Sequence, residues 1–221
     1  MILSVDSSAV TASVALTDNE KIIRNEFVNS GLTHSETLLP MVKRVMEGIS
    51  FSQIDTIAIT AGPGSFTGVR IGVAMVKGLA FSHNIPCCSI STLEAIAHNF
   101  DNGIICAVMD ARRMQFYNAI FRVIEGSVER LTPDRAISID DLREELRQYT
   151  EVIIAGDGAR LCFDSIELPQ CKLADEDKIY QNAVGVSKAV KNKKLISPEM
   201  LVPVYLRQSQ AERELKLKLS K

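Results

Sequence analysis

Two aspartates and a glycine-rich turn are the residues whose type and spacing could handle a phosphate or a metal-bound water. Asp6 ends the apolar run Ile2 to Val5, and Asp110 ends the run Ile104 to Met109. In an active phosphotransferase, carboxylates so placed would hold Mg-bound water or a nucleophile. The plainer alternative is an Asx-type turn at a strand end. Neither aspartate sits in an Asp-x-Gly-x-Thr turn, which favours the plainer alternative. The segment Gly62-Pro63-Gly64-Ser65-Phe66-Thr67-Gly68 gives a backbone that an anion could approach, beside the positive end of a following helix. It is not a Walker A loop, because Val69-Arg70 follows Gly68 where a lysine and a hydroxyl residue are needed. Nor is it a dinucleotide loop, since the first acid after Gly62 is Glu94, too far along the chain. Pro63 also removes one N–H from any anion nest. Two readings stand level: a weak nucleotide contact by Asp6, Gly62 and Gly64, or a tight turn that lets a helix pack closely.

The remaining reactive residue types are scattered. His34, His83 and His98 have no second His or Cys one helical turn away, so they read as surface or capping residues and not as metal ligands. The five cysteines include no Cys-x-x-Cys pair, and Cys87-Cys88 lie in an apolar run; buried thiols in a reducing compartment fit better than disulfides. A net charge of −2 gives no broad electrostatic footprint for nucleic acid. The basic run from Arg213 to Lys221 reads as a solvated terminus. MILSVDSS carries neither the basic nor the long apolar region of a signal peptide, and no stretch reaches membrane-span length. The expected address is the cytoplasm, with no membrane contact.

The elements that must position these residues follow one plan written twice. Strand Ile2 to Val5 leads through Asp6-Ser7-Ser8 to strands Thr11 to Thr17 and Lys21 to Val28. Thr33 and Glu36 form a capping box for a helix to about Glu47, stopped at Gly48. Strand Thr56 to Thr60 enters the glycine turn, and a helix runs on to about His83. The order then recurs: Ile104 to Met109, Asp110-Ala111-Arg112, Gln115 to Val123, Ser127 to Leu131, a helix capped by Ser138, and Val152 to Ala155 into Gly156-Asp157-Gly158. Side chains barely match between the copies, so the repeat is architectural. Strand, Asp turn, two strands, helix and strand, twice over, is the layout of a duplicated α/β fold of the actin/hexokinase/Hsp70 type, with two lobes built on mixed sheets. The expected lobes are residues 1–100, with 198–221 packing back on them, and a reduced lobe of 101–197. Gln181 to Lys193 reads as a further helix, and Ser91 with Glu94 as a second capping box.

Two helices carry more apolar residues than one buried face requires. Leu38, Leu39, Met41, Val42, Val45, Met46 and Ile49 spread over more than one stripe of the first, and Val69, Ile71, Val73, Ala74, Met75, Val76, Leu79, Ala80 and Phe81 nearly encircle the second. Either both helices are sandwiched inside the lobe or part of their surface meets another subunit. For the second reading the expected contact residues are Leu38, Val42, Val45, Arg70, Val73, Ala74 and Lys77.

Six segments together resemble the TsaB (YeaZ) family: Ile2 to Ser8, His34 to Pro40, Gly62 to Gly72, Ser91 to Glu94, Asp110 to Arg113 and Pro203 to Arg207. The resemblance spans the chain and is most specific from Gly62 to Gly72. It implies the actin-like ATPase fold and a part in forming threonylcarbamoyl-adenosine at position 37 of tRNAs that read codons beginning with A. It further implies a TsaD partner that carries the transferase chemistry, a TsaE partner that is a P-loop ATPase, and a homodimer when the chain is alone, with tRNA met only through the complex. TsaD carries His-Met-Glu-Gly-His, whose two histidines hold a metal. The matching run here is Thr92-Leu93-Glu94-Ala95-Ile96. Thr92 and Ile96 cannot ligate a divalent ion, so no catalytic residue, metal or cofactor is expected. The alternatives are an ATP-dependent phosphotransferase or ATPase using Asp6 and Asp110, and an M22-like metallopeptidase.

Overall fold

The structure, a computed structural model, describes residues 1–29, 33–191 and 193–207. The basic run from Arg213 to Lys221 lies outside the described residues. In the first half, β1 (Ile2–Asp6), β2 (Ala12–Asp18), β3 (Lys21–Val28), α1 (His34–Val45), β4 (Thr56–Gly62), α2 (Phe66–His83), β5 (Cys87–Ser91) and α3 (Thr92–Ala97) follow one another. The strands lie in the order β3-β2-β1-β4-β5. β1 pairs antiparallel with β2 and parallel with β4, so the sheet is mixed.

The second half repeats that path. It contains β6 (Gly103–Asp110), β7 (Gln115–Ile124), β8 (Ser127–Arg130), β9 (Arg135–Ser138), α4 (Ile139–Leu146), β10 (Val152–Ala155), α5 (Ala159–Ile166), β11 (Cys171–Leu173) and α6 (Ala183–Ala189). Its order is β11-β10-β6-β7-β8, the mirror listing of the first sheet, with β9 added on β7. β5, β9, β11 and α5 were not expected from the sequence. Each strand among them is five residues or shorter, too short for periodicity to announce.

Strand alternation sorts the first sheet's two faces. Leu3, Val5, Ile57 and Ile59 join a core with Leu38, Met41, Val42 and Val45 of α1 and Val69, Val73 and Val76 of α2. The opposite face meets α6, where Ala58, Cys88 and Ile90 pack with Val186 and Ala189. Polar pairs join them: the Thr17 and Ser187 hydroxyls lie 2.5 Å apart, and the Ala183 N–H donates to Ser13 Oγ. The chain's return to the first half therefore begins with α6, before Pro198. A Cβ on Gly185 would collide with the Ala95 carbonyl, so α6 crosses α3 with backbone nearly touching. In turn α3 places Leu93, Ile96 and Ala97 in the second half's core. This short helix is the wedge between the sheets.

After α6, Ile196 bridges to Cys87 on the first sheet's edge, and Leu201 is fully buried in the first core. All five cysteines are buried free thiols. No helix among the described residues is long and apolar enough to cross a membrane.

Capping differs from expectation at two helices. Thr33 makes no side-chain cap; its carbonyl takes the Glu36 and Thr37 N–H groups instead. Ser91 Oγ does accept from the Glu94 N–H, but the Glu94 carboxylate turns away to Arg130 and Lys193. Two cations outcompete a single N–H for that carboxylate.

Candidate functional site

The turns after β1 and β6 face the joint between the halves. Asp6 is wholly buried; its Oδ1 accepts from Ser8 Oγ at 2.7 Å and Thr60 Oγ1 at 2.6 Å, with the Ser8 N–H at 3.4 Å. Its Oδ2 has no partner. Burial raises the Asp6 pKa, opposed by the hydrogen bonds of Thr60 and Ser8. Asp110 Oδ1 accepts from the Arg112 N–H at 2.7 Å, and Oδ2 lies 3.3 Å from the Arg112 guanidinium. Both aspartates thus make the Asx-type turn.

A third carboxylate was not anticipated. Asp157, between β10 and α5, is only partly covered, yet its Oδ1 is shut away from solvent without a partner. Burial, then the charges of Asp110 and Asp6, push its pKa up to about 7. The Gly-x-Gly pair flanking Asp157 was the available signal. His34 also reaches the joint, where its Nε2 lies 2.6 Å from the Ala9 carbonyl while Nδ1 is buried without a partner. It ties α1 to the β1–β2 turn and is partly buried there. Among the described residues no three His, Cys, Asp or Glu side chains are placed to hold a metal ion.

The glycine turns serve close packing in both halves. A Cβ on Gly62 would collide with the Val204 carbonyl, and one on Gly64 with the Ser8 carbonyl. In the second half, a Cβ on Gly156 would strike the Val108 carbonyl, and one on Gly158 would come within 2.8 Å of the Asp110 nitrogen. Two of the N–H groups that an anion could use are engaged: Ser65 N–H donates to the Ser8 carbonyl at 2.6 Å, and Gly68 N–H to Ser65 Oγ.

On α3, Thr92 and Ile96 are fully buried, and Thr92 Oγ1 has no partner. Burial alone would raise the Glu94 pKa, but the hydrogen bonds and charges of Lys193 and Arg130 hold it below the usual carboxylate range. His98, capping the C-terminus of α3, is pushed down to about 4 chiefly by burial.

The expected contact residues divide. Leu38, Val42, Val45 and Val73 are 1%, 2%, 1% and 3% exposed and belong to the first core, where the sheet absorbs them. Arg70 and Ala74 are exposed, and Lys77 is half-buried with its Nζ on the Glu199 carbonyl. The face of α2 left to solvent runs through Arg70, Ala74, Gly78 and Phe81, the last 69% exposed. Beside it lies the segment 200–205, with Met200, Val202, Val204 and Tyr205 all exposed. The Tyr205 ring stacks on Phe66 at 4.2 Å, Arg70 Nε donates to Tyr205 Oη at 2.7 Å, and the Arg70 guanidinium covers the Phe66 ring. The expected contact set left out Phe81, one of the apolar residues that encircle α2, and Tyr205, although 70, 74, 78 and 81 follow helical spacing.

Comparison with known proteins gives this geometry a context. A family model described as TsaD, tRNA N6-adenosine threonylcarbamoyltransferase, matches residues 29–169. The chain is 34% identical over 158 residues to the tRNA threonylcarbamoyladenosine biosynthesis protein TsaB of Bacillus subtilis, covering 69% of each. It is 29% identical over 226 residues to the TsaB protein of Escherichia coli, covering 97% of each. Among solved structures, YeaZ from Pseudomonas aeruginosa superposes with a TM-score of 0.78 at 23% identity, over 93% of this chain and 99% of that one. The ethanolamine utilization protein EutJ of Carboxydothermus hydrogenoformans reaches 0.52 at 10% identity, over 85% and 89%. The fold is the duplicated actin-like ATPase architecture.

Proposed function

The chain belongs to the TsaB family, with a part in tRNA threonylcarbamoyladenosine biosynthesis, and from that premise we propose that it is a supporting subunit without transferase chemistry of its own. In this reading it pairs with a TsaD-type transferase, is joined by a TsaE-type ATPase, and forms a homodimer when alone. The observation that carries the reading is the state of α3. Thr92 and Ile96, where the paralogue would have histidines, are fully buried, and Glu94 is held by Arg130 and Lys193. A carboxylate engaged by two cations and flanked by a hydroxyl and an aliphatic chain has nothing to offer a metal. Asp6, enclosed with its hydrogen bonds on one oxygen, is equally far from a nucleotide's reach.

The proposed contact surface is the exposed face of α2, at Arg70, Ala74, Gly78 and Phe81, joined by Tyr205. Ala74 carries only a methyl group and Gly78 no side chain, so neither holds a second helix away, and Phe81 supplies an apolar anchor of the kind that dominates interface energetics. Ala74→Glu is expected to weaken association with the TsaD-type partner by roughly 2–4 kcal/mol without lowering the melting temperature of the free chain. Co-purification of that variant at undiminished affinity would exclude this surface. The reading as a whole is tested by reconstituting tRNA modification with TsaC, TsaD and TsaE, with and without this chain. Modification is expected only with it, and transfer by this chain alone would overturn the proposal.

A further inference from the structure

The β6–β7 hairpin carries a backbone that its residues resist. Arg112, Arg113 and Met114 have φ of 66°, 58° and 54°, three consecutive left-handed residues with no glycine among them. Each such residue costs on the order of 1 kcal/mol, and glycine or asparagine would relieve it. The strain is braced from both sides. Asp110 holds the Arg112 N–H and guanidinium, and Arg207 Nη1 donates to the Ala111 carbonyl at 2.7 Å. The arginine side chains are held in the open: Arg112 is 87% exposed, Arg113 is exposed, and Arg113 is in no ion pair among the described residues. Strain persists where the surroundings impose it and the side chain is needed.

We propose that this hairpin is an RNA-phosphate contact, through which the chain touches tRNA directly once assembled with its partner; the inference rests on the tRNA-modifying role proposed above. Guanidinium matches phosphate geometry better than any other side chain. Of the two arginines, Arg113 has no ion pair among the described residues, while Arg112 is partly neutralised by Asp110. The net charge of −2 explains why a contact of this kind supplements binding by a complex and does not recruit RNA unaided. An acidic protein surface is the competing occupant, and the experiment separates the two.

The test uses the chain assembled with a TsaD-type partner and measures tRNA affinity between 50 and 200 mM salt for wild type, Arg113→Lys and Arg113→Gly. The Gly variant relieves the backbone, so its melting temperature is expected to hold or rise while tRNA affinity falls severalfold at low salt. Its salt slope should drop by roughly one, which narrows the gap to wild type about threefold across that range. Arg113→Lys should retain most of the affinity. Equal affinity and slope for wild type and Arg113→Gly overturn the proposal, as does a variant that loses the protein partner instead. If the wild-type assembly neither binds nor modifies tRNA, the functional reading itself fails, a result distinguishable from failure at the hairpin.

Discussion

Asp157 is a carboxylate whose environment opposes its ordinary charged state. Its pKa in the folded protein, about 7, lies above the model-peptide value of 3.8. The folded state therefore favours the proton: stability is fully present below about pH 4 and declines as pH rises through 7. Asp157→Asn keeps an acceptor for the neighbouring backbone N–H and removes the charge. At pH 8 the variant is expected to be more stable than wild type by up to a few kcal/mol, with the difference vanishing toward pH 4. Thermal melts across that range check this, and parallel curves would contradict the assignment. Little of this was legible in the sequence. Asp6 and Asp110 announced themselves by ending apolar strands, but Asp157 gains its character from two carboxylates remote in sequence, and from a burial no local pattern encodes.

The elements show where sequence reading held and where tertiary packing overrode it. The strand-turn-strand-strand-helix order and its repetition were visible because β1, β2, β6 and β7 alternate or run apolar over several residues. The excess of apolar positions on α1 and α2 was equally visible, but not its destination: the sheet and the returning Leu201 bury Leu38, Val42, Val45 and Val73. Ser91 and Glu94 matched a capping box, and only half of it formed, because Arg130 from β8 and Lys193 from beyond α6 converge on Glu94. That convergence makes α3 a clasp among three parts of the chain. Glu94→Gln is expected to lower stability by about 1–3 kcal/mol at neutral pH, since Glu94 is 15% exposed and its two cations lose their counter-charge. Its carboxyl is held below 4.5, so this contribution is present above that pH and fades as pH falls. Denaturant melts of variant and wild type should accordingly converge in acid.

At the scale of the whole molecule, the two sheets share one path, yet they are not independent bodies. The last described segment runs from the first core at Leu201, along the glycine turn where the Val204 N–H donates to the Ala61 carbonyl, to the second half where Arg207 grips the Ala111 carbonyl. A sheet whose face waits for α6 and whose core waits for Leu201 has a consequence for how the protein is made. The ribosome delivers β1 to β5 before α6 and Leu201, on which their burial depends. Contacts of such long sequence separation slow folding and leave the nascent half open to misassociation. A polypeptide of residues 1–100 alone should show no cooperative melt, and supplying 101–221 in trans should restore one. A sharp transition in the isolated piece would mean that the early half matures without its late-arriving cover.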